Sequence, residues 1–533
     1  MTLNKNIFFT GFMASGKSRI GEQTARVLGW VFLDTDKLIE EKVGSSVSQI
    51  FSEQGETAFR QMEIEVLREI IKRKNCVIAL GGGTLTHPEA VAIIKENGTL
   101  VRLWAPVDVI SERIARKNTR PLMAGLSEDE RKAKIREMLA RREPFYNQAD
   151  FSIESHENIP VDQLVKQMME LISAWDFKKV HVDTAGGKYP IFIGTGVIER
   201  FDSILTGLES KNEYLVVSDD NVAVKQADRM ALLQKHCNNA RFFRFAPGEE
   251  FKNLQTLNRL FTFMLRKGYT RKTTLIQFSG GVVGDMAGFG AATYQRGIPF
   301  IQVPTTLLSM VDSSVGGKVA VNHQMGKNMI GAFYQPQAVI IDLNVLQTLP
   351  QEEYISGLCE VVKYGIIWDR AFFEFLENNV AGILRKDTAI LEKMISRCCA
   401  IKAEVVSKDE RENDLRAILN YGHTFAHAIE TQSDYKYSHG LAVGLGMRVA
   451  ARLSSQLNLW GHEHEKRQNA LLDALGVPKT YAIDKEEAWE SMAVDKKAEK
   501  GVRVFVLPTR IGGVQKFRNP PKDLVFAAWD AIL

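Results

Sequence analysis

Cysteine is scarce in this chain and follows no pattern. The five are Cys76, Cys237, Cys359, Cys398 and Cys399. An odd number at irregular spacing, without a CxxC pair, argues against a disulfide framework and suits a reducing compartment. A run of ~18 apolar residues is also missing, so no membrane-spanning helix is expected. Met1–Thr10 lacks the charged segment and long apolar stretch of a secretory leader. Charge of one sign is lacking too. A formal net charge of +4 over 533 residues gives no general hold on nucleic acid or on a membrane surface. Low-complexity segments and internal repeats are absent. The expectation is a soluble, cytoplasmic protein with small-molecule substrates, whose charges are met locally.

What is present is ordinary globular composition, 45% hydrophobic and 25% charged. At ~100–200 residues per domain, the length predicts about three domains. Apolar, β-rich runs at Asn6–Thr10, Val31–Leu33, Val77–Leu80 and Leu100–Trp104 alternate with helical stretches. The first of these helices runs from Lys17 to Leu28, and the series closes on the amphipathic Val161–Trp175. Such alternation predicts a parallel sheet wrapped by helices. A second series begins with Lys179–Asp183 and Tyr189–Gly194, joined by a Gly186-Gly187 turn. It continues through Tyr214–Ser218 and Thr274–Phe278, strands that feed turns as in a Rossmann-like nucleotide-binding domain. From about Gln351 to Trp460 the pattern is nearly all helical. The predicted fold class is α/β: a P-loop domain over 1–174, a Rossmann-like α/β domain over 178–350 and a mostly helical domain over 351–533.

Gly11-Phe12-Met13-Ala14-Ser15-Gly16-Lys17-Ser18 matches GxxxxGK[ST] between a strand and a helix, the setting this motif requires. Loop N–H groups, including those of Gly11, Ser15 and Gly16, ring the phosphates, and the helix N-terminus adds positive charge. Lys17 reaches the β- and γ-phosphates, and Ser18 ligates Mg²⁺. The motif specifies a nucleotide but not an acceptor. Asp34-Thr35-Asp36, just after the second strand, is where carboxylates can meet a metal and an acceptor hydroxyl. Arg60 and Glu63 share a helical face at i and i+3. Gly81-Gly82-Gly83 lets backbone approach a ligand closely. Arg120 lies in a basic, loop-like stretch that can close as a lid, and Arg142 stands near a helix end.

In these motifs and their order, about residues 5–172 resemble shikimate kinase. The resemblance implies ATP as phosphoryl donor and shikimate as acceptor. It implies that Asp34 helps hold Mg²⁺ and that Asp36, Arg60, Gly82, Gly83 and Arg142 bind shikimate, the arginines taking its carboxylate. Arg120 would stabilise the transferring phosphoryl group, and Asp36 would orient or deprotonate the hydroxyl. Ala14 and Arg19 depart from the glycine and threonine common in the family.

In the second half, Gly280-Gly281-Val282-Val283-Gly284-Asp285 follows a strand and can admit a pyrophosphate against a helix start. Asp219 and Asn221 follow another strand, where a ribose hydroxyl is expected. Glu249 and Lys252 form a short charged loop, and Thr305 and Thr306 offer hydroxyls after a further strand. Asp312–Lys318 and Gly326–Asn328, rich in small and cationic residues, suit an anion. Glu360 and Lys363 share a helical face. Asn420, His423 and His427, at i, i+3 and i+7, are expected on one helix, with His439 beyond a short polar loop. A carboxylate with two imidazoles makes an open Zn²⁺ site. The run His423-Thr424-Phe425-Ala426-His427 lacks the HExxH glutamate, which disfavours a zinc protease.

From Lys178 to the C-terminus the chain resembles 3-dehydroquinate synthase, most specifically in Pro304–Lys318, Gly326–Pro336 and Arg416–Glu430. The resemblance implies metal ligands Glu360, His423 and His439 for Zn²⁺ or Co²⁺. It implies NAD⁺ contacts from Asp219, Asn221, Glu249, Lys252, Gly280, Gly281, Asp285, Thr305, Thr306 and Lys327. Implied contacts to 3-deoxy-D-arabino-heptulosonate 7-phosphate are Arg296, Asp312, Lys318, Asn328, Lys363, Lys402, Arg416, Asn420, His427 and one of Lys496 and Lys497. Among these Lys318, Glu360, Lys363, Arg416, Asn420 and His427 carry the chemistry. A homodimer through this half is expected. Ser279 and Cys359 depart from the usual glycine and alanine. Two rival readings are a metal- and NAD-dependent alcohol dehydrogenase of the glycerol-dehydrogenase type, and a non-catalytic nucleotide-sensing module joined to an active synthase. The first needs fewer cations; the second predicts loss of Asp36, Arg60 or Arg142, all of which are present.

Overall fold

Strands that are apolar on both faces can be hidden only inside a layered sheet. The N-terminal strands meet that demand: β1 (Asn6–Thr10) and β3 (Cys76–Ala79) are buried along their whole length. With β2 (Val31–Asp34), β4 (Gly98–Trp104) and β5 (Phe151–Glu154) they form an all-parallel sheet in the order β2-β3-β1-β4-β5. Alternate side chains fill opposite cores. Phe8, Ile78 and Leu100 pack on one face, and Ile7, Phe9, Val77 and Val101 on the other. The structure is a computed structural model that describes residues 6–117, 123, 126–155, 159–175, 177–208, 213–238, 240–412, 414–434, 437–492 and 502–533. The chain divides into two compact units, Met1–Asp176 with Ser203–Glu209, and Phe177–Asp202 with Ser210–Leu533.

The second unit is built on a seven-stranded sheet. Its strands are β6 (Lys178–Thr184), β7 (Gly187–Gly194), β8 (Tyr214–Asp219), β9 (Arg241–Phe245), β10 (Thr274–Ser279), β11 (Phe300–Pro304) and β14 (Ala338–Asp342). The order is β6-β7-β14-β11-β10-β8-β9, parallel except for the β6–β7 hairpin at one edge. A separate antiparallel hairpin joins β12 (Lys318–His323) and β13 (Gly326–Phe333). In both units, the turns with chemistry follow the carboxyl ends of neighbouring strands, where parallel sheets leave a crevice. These strands are β2, β3 and β1 in the first sheet, and β11, β10 and β8 in the second.

Beyond residue 350 helices dominate, as the pattern predicts, with one exception: β15 (Val504–Arg510) and β16 (Gly513–Arg518) form a hairpin. A second departure concerns Asn420. It does not share the helix of His423 and His427, because Gly422 adopts φ 81°, a left-handed backbone that starts a new helix at His423. Asn420 instead closes the 3₁₀ turn Leu415–Asn420. Among the described residues no helix is long and apolar enough to cross a membrane.

The helices His423–Gln432 and His439–Gln456 meet backbone to backbone. A Cβ built at Gly446 would lie 2.2 Å from the Gly422 carbonyl oxygen and 3.0 Å from the Ala426 nitrogen. Gly446→Ala gains ~1 kcal/mol of helix propensity, but a backbone oxygen cannot swing aside as a side chain can. A net loss of about 1–3 kcal/mol is expected, read as a lower denaturant midpoint for the second unit.

Candidate active sites

In the first unit, the loop after β1 is shaped by three left-handed residues: Gly11 (φ 136°), Ala14 (φ 59°) and Gly16 (φ 96°). A Cβ at Gly11 would sit 2.1 Å from the Leu103 carbonyl oxygen, so only glycine fits there. Ala14 tolerates a conformation that costs an L-residue about 1–2 kcal/mol, which is the physical content of its departure from glycine. The helix Lys17–Leu28 starts directly behind Gly16, and its free N–H groups face the loop. Lys17 Nζ donates to the Gly11 carbonyl at 2.8 Å and to that of Phe12 at 3.2 Å, which holds the ammonium across the ring. The Ser15 hydroxyl is fully buried and has no hydrogen-bond partner among the described residues. Ser18 Oγ donates to Asp34 Oδ2 at 2.8 Å, so hydroxyl and carboxylate converge as an octahedral Mg²⁺ site needs.

The turn after β3 gathers the remaining groups. A Cβ at Gly81 would meet Glu63 Oε1 at 2.5 Å and Asp36 Oδ1 at 2.8 Å, and one at Gly83 would meet Arg60 Nη2 at 2.1 Å. Arg142 Nη1 and the Tyr146 hydroxyl both donate to the Gly82 carbonyl, at 3.2 and 2.8 Å. Asp36, Arg60, Arg142 and the glycines thus surround one small space. Glu63 is the residue to which sequence reasoning gave no role of its own. It is buried, pairs with Arg60 Nη1 at 2.6 Å, and accepts from the Thr84 hydroxyl. Its place at i+3 from Arg60 was the available signal. Arg120 lies outside the described residues.

In the second unit, the helix Gly281–Thr293 begins after β10 with Gly280 as its N-cap. Asp219 ends β8 and is already engaged. Its carboxylate accepts from the Val222 N–H at 2.9 Å and from the Ser279 hydroxyl, so the serine that departs from glycine braces it. Lys252 Nζ bridges Asp285 Oδ2 and Asn328 Oδ1, both at 2.6 Å. Asn322 joins this group by donating to Glu249 at 2.8 Å and accepting from the Asn328 N–H at 2.8 Å; nothing in its sequence context pointed to it. The Thr306 hydroxyl pairs with Ser309, whereas the buried Thr305 hydroxyl has no partner among the described residues. Gly280 and Gly281 at a helix start, with the Thr306 side chain against Gly280, make a cradle that suits a pyrophosphate. Asn221 and Arg296 are exposed.

Glu360 is completely buried in the helix Gln351–Ile367. Among the described residues its oxygens accept no hydrogen bond of good geometry, although the Lys363 ammonium one turn on pairs with it. His423 Nε2 lies 3.5 Å and His439 Nε2 3.8 Å from Glu360 Oε1. One ligand atom from each of the three residues falls within 4.8 Å of the others. Burial, with Lys363 and the neighbouring imidazoles, holds His423 well below its ordinary value, leaving a neutral ring able to donate a lone pair. The donor set and the under-satisfied carboxylate fit a divalent ion. The His427 ring stands 5.9 Å from that of His423.

Cations line the approach. Lys402 Nζ donates to the Asp312 backbone oxygen at 2.7 Å and to its carboxylate at 2.5 Å. Burial would push the Asp312 carboxyl up, but the Lys402 and Lys363 ammoniums hold it well below the usual range. Lys318 pairs with Glu412, which also accepts from Asn420 at 2.8 Å. Arg416 donates to the carbonyls of Glu410 and Gly316. Lys327 lies 3.2 Å from Glu430. Lys496 and Lys497 fall outside the described residues.

A P-loop sheet and a Rossmann-like sheet followed by a histidine- and carboxylate-bearing helical region define a two-part enzyme, one part a phosphotransferase and the other a lyase. The shikimate kinase family profile matches residues 13–173, and those of the 3-dehydroquinate synthase N-terminal and C-terminal families match 242–356 and 357–498. The 3-dehydroquinate synthase of Desulforamulus reducens is 46% identical over 344 residues, 64% of this chain and 96% of that protein. That of Shewanella halifaxensis is 47% identical over 351 residues, 65% of this chain and 98% of its own. The crystal structure of 2-deoxy-scyllo-inosose synthase complexed with carbaglucose-6-phosphate, NAD⁺ and Co²⁺ matches with a TM-score of 0.62 at 26% identity, over 67% of this chain and 100% of that one. The chain belongs to the 3-dehydroquinate synthase family and carries a shikimate kinase domain fused ahead of it.

The Lys252–Asp285 pair gives a test of the dinucleotide side. The two side chains are only 5% and 17% exposed, so Asp285→Asn leaves a buried ammonium without its anion. A loss of about 3–5 kcal/mol is expected, measured by urea denaturation of the second unit.

Proposed function

We propose that each unit performs its family's reaction with the residues described. The first phosphorylates shikimate from ATP to shikimate 3-phosphate. The second converts 3-deoxy-D-arabino-heptulosonate 7-phosphate to 3-dehydroquinate and phosphate. For the lyase, the observation that supports the reading best is the convergence of Glu360, His423 and His439 within 4.8 Å, amid several cations. An alcohol dehydrogenase would have less use for Lys318, Lys363, Lys402 and Arg416, whereas a substrate with both carboxylate and phosphate needs them.

In the kinase, Lys17 and the loop N–H groups bind the nucleotide phosphates, and Ser18 with Asp34 holds Mg²⁺. Arg60 and Arg142 fork onto the shikimate carboxylate and so set the ring's orientation. Asp36 then orients the acceptor hydroxyl and takes its proton, and Arg120 serves as the lid arginine. In the synthase, bound NAD⁺ supplies a hydride acceptor regenerated within each turnover, and a bound Zn²⁺ or Co²⁺ supplies Lewis acidity. Gly280, Gly281, Asp219, Asn221, Glu249, Lys252, Asp285, Thr305, Thr306 and Lys327 hold the dinucleotide. Glu360, His423 and His439 hold the metal. Arg296, Asp312, Lys318, Asn328, Lys363, Lys402, Arg416, Asn420 and His427 bind the substrate, with His427 next to the metal ligands as a proton carrier. We assign the dinucleotide to 178–350 and the metal to 351–533, and place the protein in the cytoplasm as a homodimer through the synthase half.

Two substitutions separate the activities. Arg60→Ala removes a charge-assisted pair worth ~2–5 kcal/mol, so kcat/KM for shikimate is expected to fall by roughly 30-fold to several thousand-fold, with ATP binding and synthase activity intact. Normal shikimate affinity in that variant would refute the assignment. His423→Ala is expected to abolish dehydroquinate formation and bring metal content below one per chain while the kinase is untouched. Chelation followed by Zn²⁺ or Co²⁺ should restore the wild type only. Wild type with NAD⁺ should release phosphate without lasting NADH absorbance; steady NADH accumulation would instead favour a dehydrogenase.

A further inference from the structure

Glu430 has no part in the roles assigned above, yet it touches two of the groups that do. It lies seven residues beyond His423 on the helix His423–Gln432, and therefore on the same face. It is 3% exposed, and an ionised carboxylate that deep is costly unless it is matched. Its Oε2 lies 3.4 Å from His439 Nδ1, and its Oε1 lies 3.2 Å from Lys327 Nζ on β13. The His439 ring is thus held between two carboxylates, with Nε2 towards Glu360 and Nδ1 towards Glu430. His423 is arranged alike: its Nε2 faces Glu360, and its Nδ1 lies 3.2 Å from the Tyr421 carbonyl oxygen.

We infer that Glu430 is a positioning residue for the metal centre, which fixes the His439 ring and its tautomer so that Nε2 presents a lone pair beside Glu360. The inference rests on the reading of Glu360, His423 and His439 as ligands. A neutral imidazole carries one N–H and one lone pair, and the partner of one nitrogen decides what the other can do. An acceptor at Nδ1 draws the proton there and leaves Nε2 free to bind. Tyr421 supplies that acceptor for His423 from the backbone. His439, at the first position of its helix, has Glu430 instead. Lys327 engages the other oxygen, so the two oxygens have separate partners. A narrower role would have Glu430 only pin the β12–β13 hairpin through Lys327. Glutamine distinguishes the two. It offers one acceptor oxygen and one donor amide. If the oxygen serves Lys327, the amide faces Nδ1 and drives the proton to Nε2, the nitrogen that has to bind.

The test uses full-length protein stripped of metal by chelation. Zn²⁺ affinity is measured by competition with a chromophoric chelator, and the Co²⁺-loaded protein is followed by its visible spectrum. Glu430→Gln is expected to bind Zn²⁺ about 10–100-fold more weakly than wild type and to shift the Co²⁺ bands. Lys327→Met, which leaves the carboxylate facing His439, is expected to keep Zn²⁺ affinity within about threefold. If the glutamine variant does not fold, Glu430→Asp, with its carboxylate withdrawn by one methylene, carries the same expectation. Unchanged affinity and spectrum in the Glu430 variant overturns the inference, as does a Lys327→Met loss equal to that of Glu430→Gln. Wild-type Zn²⁺ affinity in His423→Ala would instead overturn the ligand assignment itself.

Discussion

The burial of one carboxylate governs the second unit. Glu360 is fully enclosed in a helix whose neighbouring residues Leu358, Cys359, Val361 and Val362 are equally buried. An anion there is tolerable only if other groups compensate it. Lys363 does so from the same helix, and two imidazoles reach it from helices that begin at His423 and His439. The rest follows from bringing those two helices close enough. Gly422 turns the chain sharply into the first of them, and Gly446 removes the side chain that would hold the second away. Outside this shell, Asp312 draws Lys402 inward, so that the cations are fixed in place rather than carried on free surface side chains.

The two units meet the same problem, the capture of anionic small molecules, by different means. In the kinase unit the backbone leads: a loop and a helix start present their N–H groups together, and glycines clear the way for Arg60 and Arg142. The synthase unit relies on side chains, with Lys318, Lys363, Lys402 and Arg416 already engaged by a carboxylate or carbonyl oxygen. Preorganisation of this second kind has a cost, since deleting one partner of a buried pair such as Lys363–Glu360 leaves an unmatched charge in a dry interior.

What the sequence made legible divides along the same line. The P-loop and the glycine turn after β3 are contiguous segments whose chemistry needs little beyond a strand before them, and β1, β3, β8, β10 and β11 announce themselves as apolar runs because both faces are covered. The convergence of Glu360 with His423 and His439 is a tertiary event and entered through resemblance rather than spacing. Asn420 was set on the wrong element because a 3.6-residue period cannot register a left-handed glycine at position 422. The hairpin β15–β16 was hidden inside a helical region: β15 is a buried apolar run, but its partner β16 is largely exposed and mimics a loop in composition. Asn322 offered no signal at all, whereas Glu63 and Glu430 were visible at i+3 and i+7 from residues already singled out, but acidic residues at such spacings are too common to stand out, and the burial of these two is a tertiary fact.

The contact between Gly446 and the Gly422 carbonyl has a consequence for redesign of the metal centre. Because the two histidine-bearing helices touch through backbone atoms, their separation is not a variable that side-chain packing can tune. The cage therefore has a fixed aperture on that side, and ions of different radius must be accommodated by the reach and chemistry of the donors themselves. Efforts to change metal preference would gain more from exchanging a donor atom type than from repacking the surrounding core, which sets the framework's rigidity and leaves selectivity to the inner ring of ligands.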